Sequence, residues 1–444
     1  MKLIGNGRLV TRDKDQSFYE NGAVAVEGNL IVETGPYERL KEKYKDAKFI
    51  DAEGMFIMPG FINAHEHIYS AFARGLNLPG PVAKDFLEVL DGTWWNIDRH
   101  MTLENVYYSA IATYLECIAN GVTTVVDHHA SYGAIDGSLF AITKAAEELN
   151  IRTCLAYEIS DRDGKAKRNQ AINETMEFLQ YVKDLDSTML KGMIGLHASF
   201  TLSDETLRII QKENKFDAGY HVHIAEGLYD EQHAQKNYLS SIVSRFYDHG
   251  ILGKKTIAGH CIHVSEEDIK LLKETKTNVV HNPESNMGNG VGCPDCISML
   301  DQGIVVGLGT DGYTNDMLES LKVANILQKH RRKMPDRGFC EACSMLFEHN
   351  RTIASNMFET TLGVLEAGAA ADLIIVDYRP YSTVTKDNIN GHIMFGMNGA
   401  MTDTTIIDGE LRMRHRRFIG IDEETRKKQC MQSADELWKR LCEK

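Results

Sequence analysis

The chain has 444 residues, 43% of them hydrophobic, with 63 acidic against 49 basic side chains and a formal net charge of −14. That length holds one large barrel with an accessory domain, or two to three ordinary domains, around a sizeable core. The densest basic runs, KHRRK at 329–333 and RMRHRR at 412–417, are too short for a nucleic-acid or anionic-membrane patch and read as solvated faces.

The opening MKLIGNGRLVTRDKD turns polar too early for a signal peptide, and no apolar stretch approaches a bilayer span. Nine cysteines, an odd number in a large chain, suit a reducing cytoplasm, which is the location expected.

In chain order the first elements are strands. GRLVT, GAVAVEGNLIVETG and AKFIDAEGMFIMPG, all within the first sixty residues, alternate apolar and polar side chains between glycines. The pattern returns only at the far end, in ADLIIVDY and TDTTIIDGELRMRHRRF. Residues 1–57 and 365–444, the latter with a terminal helix, are expected to build one small β-sandwich domain. An inserted unit spans 58–364.

From residue 58 the rhythm is strand then helix. Eight apolar or β-branched runs follow: MPGFINAHEH, VTTVVDHH, RTCLAYEIS, LKGMIGLHAS, GYHVHIAE, TIAGHCIH, TNVVHNPESN and GIVVGLGTDG. After the first comes NLPGPVAKDFLEVLDGTWW, a long segment marked by Pro and Gly that could close as a lid, its tryptophans read as packing. Next, apolar side chains recur at Leu103, Val106, Tyr107, Ala110, Ile111, Tyr114, Leu115 and Ile118, with Gly121 as a stop signal. Ser203 and Ser265 stand as N-caps of later helices. Eight such repeats predict an α/β fold, a (β/α)8 TIM barrel.

The ends of these runs carry the chemistry. Six of the eight close on histidine or a carboxylate: His65 with His67, His128 with His129, His197, His223 with Glu226, His260 with His263, and Asp311; His281 lies near the end of a seventh. Carboxyl ends of barrel strands converge on one mouth where catalytic residues gather, whereas core histidines would show no preference for strand ends. Side chains two apart on a strand share a face, so His65 and His67 point together into the barrel, close enough to chelate one ion, and Glu66 points away. In isolation such a pair could equally be one core histidine and one accident. His223 and Asp311 would complete a set of three nitrogens and one oxygen with a position left for water. His221 shares the face of His223, and spacing does not choose between them.

PGFINAHEH with FARG, GVTTVVDHH, HVHIAE, AGHCIHV and NPESN followed by GLGTDG together resemble the amidohydrolase superfamily, in its branch of chlorohydrolases and nucleobase or nucleoside deaminases. The tail GVLEAGAAADLIIVDY also matches, so the resemblance covers nearly the whole chain; within the branch it is most similar to the SsnA-type aminohydrolases. The resemblance implies His65, His67, His223 and Asp311 as ligands of one divalent metal ion per subunit, zinc first, with iron or manganese as alternatives. It implies Glu226 as a proton carrier, His260 as the group orienting the attacking water, and Asp311 as acceptor of that water's proton. The fourth strand, GMIGLHASF, lacks the lysine of binuclear relatives, so one ion is expected. A homodimer is implied on the same ground.

His197, His129 and Arg74 are the candidate substrate contacts. Alternation lets only one of His128 and His129 face the mouth, and His129 is the one expected. Arg74 has the alternative of pairing with a neighbouring carboxylate, and Asn286 of positioning the seventh loop. Cys293 with Cys296 and Cys340 with Cys343 form two CxxC pairs, expected as free thiols rather than a four-thiolate zinc site.

The function implied is metal-dependent hydrolytic deamination of a small heterocycle that is purine-, pyrimidine- or triazine-like, with no nucleic-acid or membrane partner. The alternatives are a chlorohydrolase or cyclic amidohydrolase using the same site, and a metal-free assembly protein.

Overall fold

The computed structural model describes residues 1–80 and 82–443; Pro81, inside the segment expected as a lid, and Lys444, at the end of the expected C-terminal unit, lie outside it. Two sheets organise the chain. The first is a mixed, nine-stranded sheet made from both ends. Its N-terminal strands are β1 (Lys2–Val10), β2 (Phe18–Glu27), β3 (Leu30–Pro36), β4 (Lys48–Asp51) and β5 (Phe56–Pro59). The second is an eight-stranded parallel sheet. It comprises β6 (Phe61–Glu66), β7 (Val122–His129), β8 (Arg152–Ile159), β9 (Leu190–Ala198), β10 (Tyr220–Ile224), β11 (Ile257–His260), β12 (Asn278–His281) and β13 (Val306–Leu308). The chain then returns to the first sheet with β14 (Leu373–Val376), β15 (Thr402–Ile407), β16 (Glu410–Arg414) and β17 (Arg417–Phe418).

Each of the eight predicted runs contains one strand of the parallel sheet, paired with its sequence neighbour as a right-handed βα repeat requires. The barrel closes where β6 meets β13. A bridge from Glu66 to Asp311, just past β13, spans the seam, reinforced by the Thr310 and Asp311 amides donating to the His65 carbonyl at 3.1 and 3.0 Å. Asn350 stitches the rest of the seam: its Nδ2 donates to the carbonyls of Ile62 (2.7 Å) and Leu308 (2.8 Å), and its Oδ1 accepts from the Leu308 amide at 2.7 Å. Glu66, turned away from the barrel axis as alternation predicts, accepts from Asn63 and Thr310 across the same seam.

The small domain follows the expected composition of both chain ends, as one continuous sheet whose arms share a core. Ile4, Val24, Ile31, Ile57, Leu373, Ile375 and Ile406 pack together in it. β5 pairs with β1 and β14, so the run MPGFINAHEH is divided: Met58 and Pro59 belong to the small domain, and the barrel starts after Gly60. A side chain at Gly60 would collide with Thr123, so this crossing needs glycine.

The helix Leu103–Ala119 ends one residue before Gly121's predecessor at an Asn120 cap, with Gly121 at φ +80°. Ser203 and Ser265 cap as predicted, the latter in a reciprocal box with Asp268. The terminal helix Glu423–Cys442 lies against the barrel: Asn105 donates to Ser433, and Trp438 Nε1 donates to the Phe72 carbonyl at 2.7 Å, bracing the loop after β6. Among the described residues no helix is long and apolar enough to cross a membrane.

Candidate metal centre and substrate cavity

β6 delivers His65 and His67, and β10 delivers His221 and His223, to the same end of the barrel. Three of these rings are fixed through Nδ1. His67 Nδ1 donates to the His128 carbonyl (2.5 Å) and His223 Nδ1 to the His197 carbonyl (2.9 Å); His65 Nδ1 meets His221 Nε2 at 2.7 Å. The two carbonyl partners fix the tautomers of His67 and His223 and leave Nε2 of each as a lone-pair donor, while His65 and His221 share one N–H between them. The ligand atoms of His65, His67 and His223 lie within 4.8 Å of one another, as do those of His65, His260 and Asp311. Asp311 Oδ1 stands 3.4 Å from His67 Nε2, and Oδ2 stands 4.0 Å from His65 Nε2.

These atoms suit a divalent cation. Nε2 of His65 and of His260 are buried without a hydrogen-bond partner, and nitrogens of His67 and His223 face each other at 3.1 Å. Lone pairs so arranged repel unless a positive charge joins them. Burial, with the neighbouring imidazoles adding to it, pushes His65 and His223 well below the usual histidine pKa, which keeps them neutral. Burial works to raise the Asp311 carboxyl, but His67, His260 and the Gly312 amide together hold it below its ordinary value. The spacing therefore did not choose His223 over His221, and the packing does: His223 faces the set, while His221 sits behind it and holds His65.

His260 ends β11, fully buried, with Nδ1 donating to Asn286 Oδ1 at 2.7 Å. Its Nε2 lies 3.5 Å from both Glu226 Oε2 and Asp311 Oδ2. Asn286 thus holds the His260 ring rather than only shaping its loop. Burial and then the Asp311 charge push Glu226 well above the usual carboxylic-acid range. The backbone is strained here: Ala225, His260, Cys261 and Asp311 all have φ between +50° and +69°, a cost that clusters at functional sites.

Two adjoining cavities, about 50 and about 560 Å³, open beside this set and share Phe86, Leu90, His197, His223, Glu226 and Asn289. His197 lines both. His129 does not. Its ring turns outward between Tyr69 and Tyr157 and bonds Ser131 at 2.9 Å, while His128 turns inward beneath His223. The expectation for the doublet is corrected: alternation operates, with the opposite phase. Arg74 is corrected too, pairing with both oxygens of Glu116 at 2.5 and 3.0 Å on the surface.

Trp94 and Trp95, read as packing, line the smaller cavity with Tyr69 and Glu158. Glu158 was missed, although it stands near the end of the third run, the one run without an assigned polar terminus. All nine cysteines are free, and no thiolate joins a metal-binding group among the described residues.

Residues 56–412 match the model of the amidohydrolase family, and the chain belongs to that family. A 5-methylthioadenosine/S-adenosylhomocysteine deaminase from Pelotomaculum thermopropionicum is 28% identical over 427 residues, covering 95% of each chain. A 5'-deoxyadenosine deaminase from Methanosarcina acetivorans is 30% identical over 445 residues, covering 98% of each. Among solved structures, an adenosine deaminase from Xanthomonas campestris with bound zinc superposes with a TM-score of 0.87 at 19% identity, covering 98% of each chain. The protein is a metal-dependent hydrolase of carbon–nitrogen bonds other than peptide bonds, acting on a small molecule by hydrolytic deamination.

Proposed function

We propose that the protein deaminates an adenine-type nucleoside or a closely related aminated heterocycle, with one divalent ion, zinc, held by His65, His67, His223 and Asp311. The gathering of nitrogens from His65, His67 and His223 beside the Asp311 carboxylate, with burial and the Asp311 charge raising the nearby Glu226 carboxyl, supports this reading most directly. When bound, the ion supplies positive charge that acidifies a water and stabilises charge developing on oxygen. Asp311 accepts the water's proton. His260, held by Asn286, orients that water toward the ring carbon. A C–O bond forms as the ring nitrogen takes Glu226's proton. The proton held by Asp311 then passes to the exocyclic amine, the C–N bond breaks as the new C–O oxygen becomes a carbonyl, and the hydroxyl proton it loses returns to Glu226 as ammonia leaves.

A carboxyl whose pKa burial and the Asp311 charge raise, as at Glu226, favours an amine over a halide as leaving group, because chloride departs without needing a proton. Against the metal-free reading stand the ligand atoms of His65, His67 and His223, gathered within 4.8 Å of one another, and Asp311 beside His67. We assign the barrel and its site to the unit inserted between the two chain ends, and we place the enzyme in the cytoplasm as a homodimer without nucleic-acid or membrane partners. Ammonia release across a panel of aminated bases and nucleosides, with metal-loaded and chelated protein, tests the function. Release that is unaffected by chelation, or no release from any member, would overturn it; metal analysis and gel filtration test the stoichiometry and the dimer.

A further inference from the structure

Glu158 lies on β8, its side chain 4% exposed, on the wall of the smaller cavity. Oε1 accepts from Arg162 Nε at 3.2 Å, which leaves Oε2 for the cavity that the residue lines. Arg162 cannot reach past it. The guanidinium is clamped between the rings of Tyr132 (3.7 Å to the centroid) and Trp95 (5.2 Å) and is also bonded to buried Asp98.

The neighbouring wall residue is His197. Thr201 Oγ1 donates to the Ala198 carbonyl at 3.1 Å, so it accepts from His197 Nδ1–H at 2.7 Å, and His197 Nε2 keeps a lone pair. The wall therefore offers two hydrogen-bond acceptors and no free cation.

We infer that Glu158 and His197 form a subsite for a neutral substituent carrying two hydroxyl donors, such as the vicinal diol of a furanose attached to the ring. This rests on the deamination reading above. An anionic substituent would face Glu158 directly. One acceptor on each residue, the free Glu158 oxygen and the His197 Nε2 lone pair, matches a pair of hydroxyl donors. Trp95, 5.8 Å from the His197 ring, supplies an apolar face for the sugar carbons.

The test compares wild type and Glu158→Gln on adenosine and 2',3'-dideoxyadenosine. Gln keeps an oxygen for Arg162 but points an N–H₂ donor at the cavity, inverting the polarity. Wild type should prefer the diol in kcat/KM by roughly 10–100-fold, the worth of a charged hydrogen bond, and Glu158→Gln should lose most of that ratio. An equal ratio in the two proteins, or no preference in wild type, overturns the subsite while leaving deamination standing. A parallel calorimetric titration with inosine and 2',3'-dideoxyinosine needs no turnover. Tighter diol binding by wild type alone supports the subsite even if no ammonia is released, an outcome that would sink only the deamination reading. If Glu158→Gln does not fold, Glu158→Asp keeps the charge but withdraws it by one methylene, and an undiminished ratio there overturns the inference.

Discussion

The two ends of the barrel bury polar groups on opposite terms. At the amino end, Arg152 opens β8 with a fully buried side chain, and the chain satisfies it. Nε and Nη2 meet Asp372 at 3.0 and 3.3 Å, Nη2 reaches Asp408 at 3.5 Å, and Nη1 donates to the Thr188 carbonyl. At the carboxyl end, His65, His67, His221, His223 and His260 crowd together, and two of their Nε2 atoms have no partner. Desolvation costs the same kind of energy at both ends, and only the first is offset from within. A satisfied buried network holds the two sheets together. An unsatisfied one persists because something outside the chain completes it.

The largest test of this contrast is at the unsatisfied end. Asp311→Asn should lower ammonia release by on the order of 10⁴-fold, through loss of the proton acceptor, with a melting temperature near that of wild type. Retention of a tenth of the activity would remove Asp311 from the chemistry. At the satisfied end the effect should fall on stability instead. Asp372→Ala leaves the buried Arg152 only the more distant Asp408 and the Thr188 carbonyl, and should cost about 3–5 kcal/mol in urea unfolding. Its kcat/KM should hold under folding conditions, and Arg152→Met with Asp372→Leu should recover most of the loss. A single-variant cost below about 1 kcal/mol would break the comparison.

A middle case sharpens it. Asn286 is satisfied, but it serves an unsatisfied neighbour, since its Oδ1 fixes the tautomer of His260. Asn286→Ala should lower kcat about 10–100-fold with KM little changed, a split that steady-state kinetics resolves. A pure stability loss would instead lower both the melting point and the active fraction.

What the sequence disclosed divides along the same line. His65 and His67 were legible because two residues on one strand fix their own relation, and Ser203 and Ser265 because a cap is local. The phase of His128 and His129 was not. β7 is buried on both faces, so neither neighbour marks the inside, and the register with β6 and β8 decides. His221 and His223 share a face, and only the depth of each ring in the barrel separates ligand from support. Glu158 offered a signal, a carboxylate near a strand end, but its meaning depends on Arg162, Tyr132 and Trp95 meeting behind it. The small sheet was legible as to its strands, while the placing of Met58 and Pro59 within it depended on β14, more than three hundred residues away in sequence.

Arg74 gives the smallest effect and the plainest control. It stands seven residues beyond His67, and its charge could have served a substrate. Its guanidinium instead faces Glu116 on the outer helix Leu103–Ala119, with the side chain 64% exposed. Such a pair is screened by solvent and holds two long side chains at an entropic cost. Arg74→Ala should therefore change unfolding free energy by no more than about 1 kcal/mol. Across all substrates tested, kcat/KM should stay within about twofold, because a charge directed away from the cavity has no differential contact with the transition state. A tenfold loss confined to kcat/KM would mean that the guanidinium reaches substrate when the site is filled, and would return Arg74 to the binding wall.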